Sequence, residues 1–318
     1  MTTLNLLKAL DNGNLVSPVS IFMVLELMGK VFKCDKTVMK YIEQEYKIKE
    51  NKHLMVTCDI FGFESTEEYD VDFEYGIDIR KSAKIINKYV KKYTKGMIPK
   101  LLDFEPEGDD VIIVSTLYFK CDWLNKFKKE NTRKKVEFKG ENGKTKIDML
   151  CMHDKFEFMK TKNLKSVIIP YQDERFIMIL SQPIDIDIDI KDCVNKELLK
   201  HLSPNNFEQK SVDLMIPKMK IESTYDNMLN ILENSGLNLV EINKKVTLTR
   251  VIHKVIIEID EDGTVVVAAT AGRMKCMMAP RKKVEIEEWH GDHPYILTIL
   301  DNYNKSIILL GIVDLTKQ

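Results

Sequence analysis

The chain has 318 residues, 44% of them hydrophobic and 31% charged, with a formal net charge of −1. This is ordinary globular composition, and it lacks the basic excess expected of a general nucleic-acid binder. The six cysteines, at positions 34, 58, 121, 151, 193 and 276, are scattered with no CxxC pair, a spacing that suits reduced thiols rather than a disulfide framework.

Residues 1–18 (MTTLNLLKALDNGNLVSP) have no basic n-region, and Asn5, Lys8 and Asp11 interrupt the apolar side chains. No signal peptide is expected from such a segment. No later stretch approaches the roughly 20 apolar residues of a membrane helix, so a cytoplasmic protein with no membrane partner is expected. Residues 18–32 (PVSIFMVLELMGKVF) are apolar on every face, which predicts a buried helix with Ser17 as N-cap and Pro18 in its first turn. HLMVTCDIFGF (53–63) reads as a strand. Residues 81–102 keep helical periodicity up to Gly96, a suitable C-terminal stop. VIIVSTLYFK (111–120) is a continuous apolar run, as a strand buried on both faces requires. Further strands are predicted at 165–170, 175–182, 211–222, 246–260, 293–300 and 305–313, with a helix at 225–236 ended by Gly236. Many strands and few helices, not in regular alternation, indicate an α+β fold with large sheets. With no linker-like break, a single domain over 1–318 is expected.

Chemistry-bearing motifs are scarce. No GxSxG, HExxH or GxGxxG occurs, and GENGKTK (140–146) has Phe138 where a phosphate loop needs its first glycine. His290 and His293 in WHGDHPY read as a polar turn leading into a strand, and Cys276 has no identifiable histidine partner. IDIDIDI (184–190) alternates like a strand but lacks the glycine turn and spaced glutamate of a calcium loop, so a solvated edge or loop is expected. No catalytic residues, metal site or cofactor are expected, and an enzyme is not indicated.

Five segments, in order, carry a resemblance to the serpin family. NLVSPVSI (14–21) is similar to the family's NxxxSPxSI motif at its second helix. NKYVKKYTKGMIPKLL (87–102) is similar to the helix F motif. VIIVSTLYFKCDWLNKF (111–127) resembles the central strand leading to the breach tryptophan, here Trp123. VIHKVIIEIDEDGT (251–264) resembles the strand and hinge before the reactive loop, and DHPY (292–295) the strand after it. The resemblance implies the α+β serpin fold: large mixed β-sheets, surrounding helices and an exposed reactive-centre loop at about 261–288. About 20 residues separate 53–63 from helix F, and about 10 are missing between Gly236 and His253. Such shortening is similar to the compact intracellular serpins of poxviruses, which act inside an infected host cell.

The resemblance implies a suicide-substrate inhibitor of serine proteases. A protease cleaves the loop, is acylated, and is carried off as the loop's N-terminal half inserts as a new strand of the main sheet. The residues suit that fate. Side chains alternate faces in a strand, and Thr264, Val266, Ala268, Thr270, Gly272, Met274 and Cys276 form a small or apolar set, opposite a set that turns cationic at Arg273 and Lys275. The fourteen residues 264–277 would span roughly 45 Å, and no charge or proline interrupts the inward set before Pro280.

The hinge is assigned to Glu261, Asp262, Gly263, Thr264, Val266 and Ala268. Gly263 and Thr264 match the inhibitory pattern, whereas Val266 and Val267 replace the usual alanines with bulkier, strand-favouring side chains. Counting from Glu261 as the seventeenth residue before the cut places the reactive bond at Met277–Met278, implying a chymotrypsin- or elastase-like target. Counting back from Pro294 places it at Lys283–Val284, so cleavage at Arg281, Lys282 or Lys283, and a trypsin-like target, stays open. The resemblance further assigns Ser17, Ser20, Ser115 and His253 to the shutter beneath the opening strands, with Ser115 standing where the family usually has asparagine. It implies a monomer without heparin-type activation, because the basic helix that serves it in the family is missing. The alternative it leaves is a non-inhibitory serpin acting as a binding or chaperone-like protein.

Overall fold

The computed structural model describes residues 3–9, 15–31, 53–61, 77–78, 82–107, 111–226, 228–234, 250–263 and 286–317. In chain order the elements are α1 (Thr3–Ala9), β1 (Leu15–Val16), α2 (Pro18–Val31), β2 (Leu54–Phe61), β3 (Ile77–Asp78), α3 (Ala83–Tyr93) and β4 (Ile112–Phe119). There follow β5 (Arg133–Gly140), β6 (Gly143–Lys160), β7 (Leu164–Pro170), β8 (Phe176–Pro183), α4 (Leu198–His201), β9 (Glu208–Pro217) and β10 (Met219–Tyr225). The last are α5 (Leu229–Asn234), β11 (Arg250–Ile259), β12 (Ile286–His290), β13 (Tyr295–Asp301) and β14 (Ser306–Val313). They form two compact units, one of Met1–Phe119, Ile221–Ile257 and Leu300–Ile312, the other of Lys120–Lys220, Glu258–Ile299 and Val313–Gln318.

In the first unit a mixed sheet runs in the order β10-β11-β4-β2-β3. β4 pairs antiparallel with β2 and parallel with β11, from Arg250↔Ile112 to Ile256↔Tyr118. All eight residues of β4 are buried because both faces of the strand are covered. On one face Ile112 and Val114, with Ile252 and Ile256 of β11, pack beneath Ile86 and Val90 of α3. Alternation turns Ile113, Ser115 and Leu117 the other way, and α2 packs against β2 and β4.

Helix α2 confirms the capping expectation, since Ser17 Oγ accepts the Ser20 N–H at 3.1 Å and its carbonyl accepts that of Ile21. Helix α3 ends beside the glycine that its periodicity predicts as its stop. Ser82 caps its start, Thr94 ends it, and Gly96, at φ 83°, donates to the Lys91 carbonyl at 2.7 Å. Only glycine takes that left-handed conformation without cost. Residues 97–102 are therefore not helical. They fold back under Asn87, whose Oδ1 accepts the N–H groups of Leu101 and Leu102 at 2.7 and 2.8 Å.

The second unit holds strands in the order β13-β8-β7-β6-β9-β12, with β5 alongside β6. The β5–β6 hairpin was not predicted: β5 is exposed on both faces for most of its length, so no period-2 apolar signal exists to read. The strand predicted at 211–222 is broken at Lys218, because Pro217 has no N–H to continue a ladder and Lys218 donates instead to Asp148. The helix predicted at 225–236 begins only at Leu229, since Tyr225 still belongs to β10; Gly236, like 246–249 of the predicted strand, lies outside the described residues. IDIDIDI is a loop, as expected, in which Asp185 and Asp189 accept the N–H groups of Asp187 and Lys191. The four described cysteines, Cys58, Cys121, Cys151 and Cys193, are free and buried.

Candidate functional site

In the first unit the expected shutter residues Ser17, Ser115 and His253 converge, with Ser20 one helical turn away. His253, on β11, is paired in register with Ser115 on β4. Its Nε2 accepts the Ser17 N–H at 3.3 Å, so Nδ1 carries the proton and donates to the Ser115 carbonyl, also at 3.3 Å. Burial pushes the imidazole down to about 4, only partly offset by the Ser115 carbonyl, so the ring is neutral. The Tyr225 ring stacks on it at 6.0 Å, and Thr57 and Thr116 share a hydroxyl hydrogen bond of 2.7 Å nearby on β2 and β4. Ser115 Oγ and Ser20 Oγ are buried without a hydrogen-bond partner.

In the second unit Glu258 and Ile259, the end of β11, lead into the residues expected to form the hinge. Asp260 shapes the turn: its Oδ1 accepts the N–H groups of Asp262 and Gly263 at 2.9 and 3.2 Å, and its own N–H donates to the Gly263 carbonyl. Gly263 has φ 148°, and a Cβ there would lie 2.4 Å from Asp122 Cα and 2.5 Å from the Cys121 carbonyl. The position therefore needs glycine on both conformational and steric grounds.

The stretch after β4 meets this turn directly. Trp123 N–H donates to the Asp262 carbonyl and Phe127 N–H to that of Glu261, at 3.1 and 2.9 Å. The Trp123 indole donates to the Asp260 carbonyl at 3.0 Å while its ring stacks on Tyr171 at 4.6 Å and 11°. Glu261 is 6% exposed and accepts hydrogen bonds from Lys218 Nζ at 2.7 Å and Thr132 Oγ1 at 3.1 Å. Burial pushes its carboxyl up, but these donors and its own amide outweigh burial and hold it below the usual range. Lys126 bridges Asp262 at the surface.

The expected hinge residues Glu261, Asp262 and Gly263 are thus brought together with Trp123. Thr264, Val266, Ala268, Met277, Met278, Arg281, Lys282 and Lys283 lie outside the described residues, as does Cys276. Sequence reasoning missed Asp260, Thr132, Tyr171, Lys218 and Tyr225. The partners are separated by 43 residues for Lys218–Glu261 and 129 for Thr132–Glu261, so no local pattern marks them. His293, read as part of a turn, is buried against Gln182 and Asp292.

Comparison with known proteins accounts for this arrangement. The family model described as "Serpin (serine protease inhibitor)" matches residues 40–314. Serpin B4 of Homo sapiens is 29% identical over 248 residues, covering 73% of this chain and 63% of its own length. Leukocyte elastase inhibitor of Homo sapiens is 28% identical over 263 residues, covering 76% and 68%. This chain therefore spans about two thirds of these relatives. Among solved structures, the thermophilic serpin tengpin in its native state is similar at a TM-score of 0.80 and 21% identity, over 98% of this chain and 91% of that one. With the family match over most of its length and the same fold, this chain belongs to the serpin family.

Proposed function

We propose that the chain is a suicide-substrate inhibitor of serine proteases that traps its target by inserting the cleaved reactive loop as a strand between β4 and β11, the whole of 1–318 acting as one monomeric inhibitory domain. The observation that carries this reading is the direct parallel pairing of β11 on β4. A loop that follows β11 and turns back runs antiparallel to both strands. Insertion exchanges one parallel ladder for two antiparallel ones, which are somewhat stronger per residue. The closed sheet is then a kinetically held state whose lifetime is a rate. The small, uncharged inward set of 264–276 supports it, as does the turn at Gly263, where a substituent has no room.

Met277–Met278 is the proposed reactive bond, with a chymotrypsin- or elastase-like target; cleavage at Arg281, Lys282 or Lys283 and a trypsin-like target is the second placement. The shutter and breach roles of Ser17, Ser20, Ser115, His253 and Trp123 are part of the same proposal. So is a compact, poxvirus-type, cytoplasmic setting, supported by the short spacing between 53–63 and α3.

Incubation with chymotrypsin-, elastase- and trypsin-like proteases is expected to give an SDS-resistant complex and a released C-terminal fragment. A fragment beginning at Met278 supports the first placement, and one beginning at Lys282, Lys283 or Val284 the second. Thr264→Arg puts a charge on the inward face and is expected to turn the inhibitor into a substrate. A Thr264→Arg protein that still traps protease, or a cleaved form no more heat-resistant than the intact one, refutes insertion.

A further inference from the structure

Helix α3 and residues 97–102 lie across the pair of strands that the proposed insertion must part. Their underside is a single apolar cluster in which Ile86, Val90, Ile98, Leu101 and Leu102 pack on Ile112 and Val114 of β4 and on Ile252 and Ile256 of β11. Asn87 binds both ends of this cover together, accepting from Leu101 and Leu102 and donating to the Leu102 carbonyl at 2.9 Å. A strand entering between β4 and β11 moves them apart by one strand spacing, roughly 4.8 Å. A rigid cover in van der Waals contact with both strands cannot stretch that far, so it must lift.

Apolar contacts are non-directional and can slide and re-form. One polar contact cannot. The Tyr89 hydroxyl on α3 donates to Asp59 Oδ2 on β2, and Asp59 is 2% exposed. The Phe61 ring meets Tyr89 edge-on at 5.5 Å and Tyr93 packs against it at 4.5 Å, which fixes the direction of the hydroxyl. Burial first, and the Asp59 charge second, push the phenol well above its ordinary range, so it stays a proton donor at all relevant pH. Lifting α3 takes this donor from a buried carboxylate.

We propose that the Tyr89–Asp59 contact is a latch that sets the rate at which the sheet opens to accept a strand, making both positioning residues for inhibition. The proposal rests on the insertion reading above. A hydrogen bond to a buried charge lost on the way to the transition state slows opening by about ten- to a hundredfold.

The test uses the full chain and a synthetic peptide of sequence TVVVAATAGRMKCM (264–277), without protease. Uptake is followed as formation of a heat-resistant species at 37 °C. Tyr89→Phe is expected to take up the peptide about ten- to a hundredfold faster than the parent, whereas Asp59→Asn, which keeps an acceptor for the hydroxyl but loses the charge, is expected to fall clearly between the two. If the parent takes up peptide and Tyr89→Phe does so at the same rate, the latch is refuted while insertion stands. If Asp59→Asn is as fast as Tyr89→Phe, the hydrogen bond is not what holds the cover, and the latch is again refuted. If neither parent nor variant ever forms a heat-resistant species with peptide, the insertion reading itself fails.

Discussion

The Glu261–Lys218 pair offers a quantitative test of how the hinge is held. Glu261 is 6% exposed, with Lys218 Nζ at 2.7 Å and Thr132 Oγ1 at 3.1 Å, while the Lys218 side chain is 40% exposed. A hydrogen bond to a charged group is worth about 1.5–3 kcal/mol when dry, and an exposed ion pair about 0–1 kcal/mol. One buried and one half-exposed partner place the coupling near 1–1.5 kcal/mol. The perturbation is a double-mutant cycle of Glu261→Gln, Lys218→Met and the double variant. Because the intact form is proposed to be kinetically held, the cycle is read on the rate of heat-induced loss of the native fluorescence signal. The coupling then corresponds to a non-additive factor of roughly 5 to 12 in rate.

The pH dependence has a definite sign. The folded Glu261 carboxyl lies below its ordinary value, so its contribution is present above the unfolded value of about 4.3 and is lost as pH falls through the folded one. The coupling should be constant from pH 7 to 5 and decline only in acid, as the carboxyl is protonated below its ordinary range. A coupling under about 0.3 kcal/mol at pH 7 would show that the pair behaves as an ordinary surface contact, and one that no acidification reduces would show that the Glu261 charge does not carry it; either result refutes this account.

Two further predictions concern the shutter and the hinge turn. His253 titrates at about 4 when folded against about 6.5 unfolded. The unfolded chain therefore binds more protons between those values, and stability falls through that window as the solution is acidified, by on the order of 3 kcal/mol. Burial pushes His201 to about 4 as well, so melting scans from pH 7.5 to 4 should show His253→Gln losing about half of the slope; an unchanged slope contradicts the assignment. Gly263→Ala forces a Cβ against the backbone of Cys121 and Asp122. It should break the Trp123 and Phe127 amide contacts at a cost of about 2–4 kcal/mol, visible as altered tryptophan fluorescence and a poorer stoichiometry of trapping. Parental behaviour in both would mean that the turn tolerates rearrangement.

Much of the frame was readable because its signals are local. The eight buried residues of β4 and the apolar run of α2 announce themselves by continuity. Ser17 caps its helix as its position before Pro18 suggests. Gly263 is singled out by the sequence, and its turn has no room for a Cβ. The misreadings have physical causes too. The β5–β6 hairpin is solvated on both faces of β5, so burial left no mark on its composition. The helix predicted from 225 begins only at Leu229 because Tyr225 still extends β10.

Sequence by itself determined the cap and burial of α2, the buried strand β4 and the alternation of residue types over 264–276, because capping and strand patterning depend on neighbours a few residues away. Tertiary structure alone decided that β11 lies directly on β4, that Lys218 and Thr132 grip Glu261, and that Tyr89 finds Asp59. These contacts join residues 30 to 138 positions apart. Their formation depends on chain topology and on the need of each buried charge and N–H for a partner, and neither leaves a pattern in any short window of the chain.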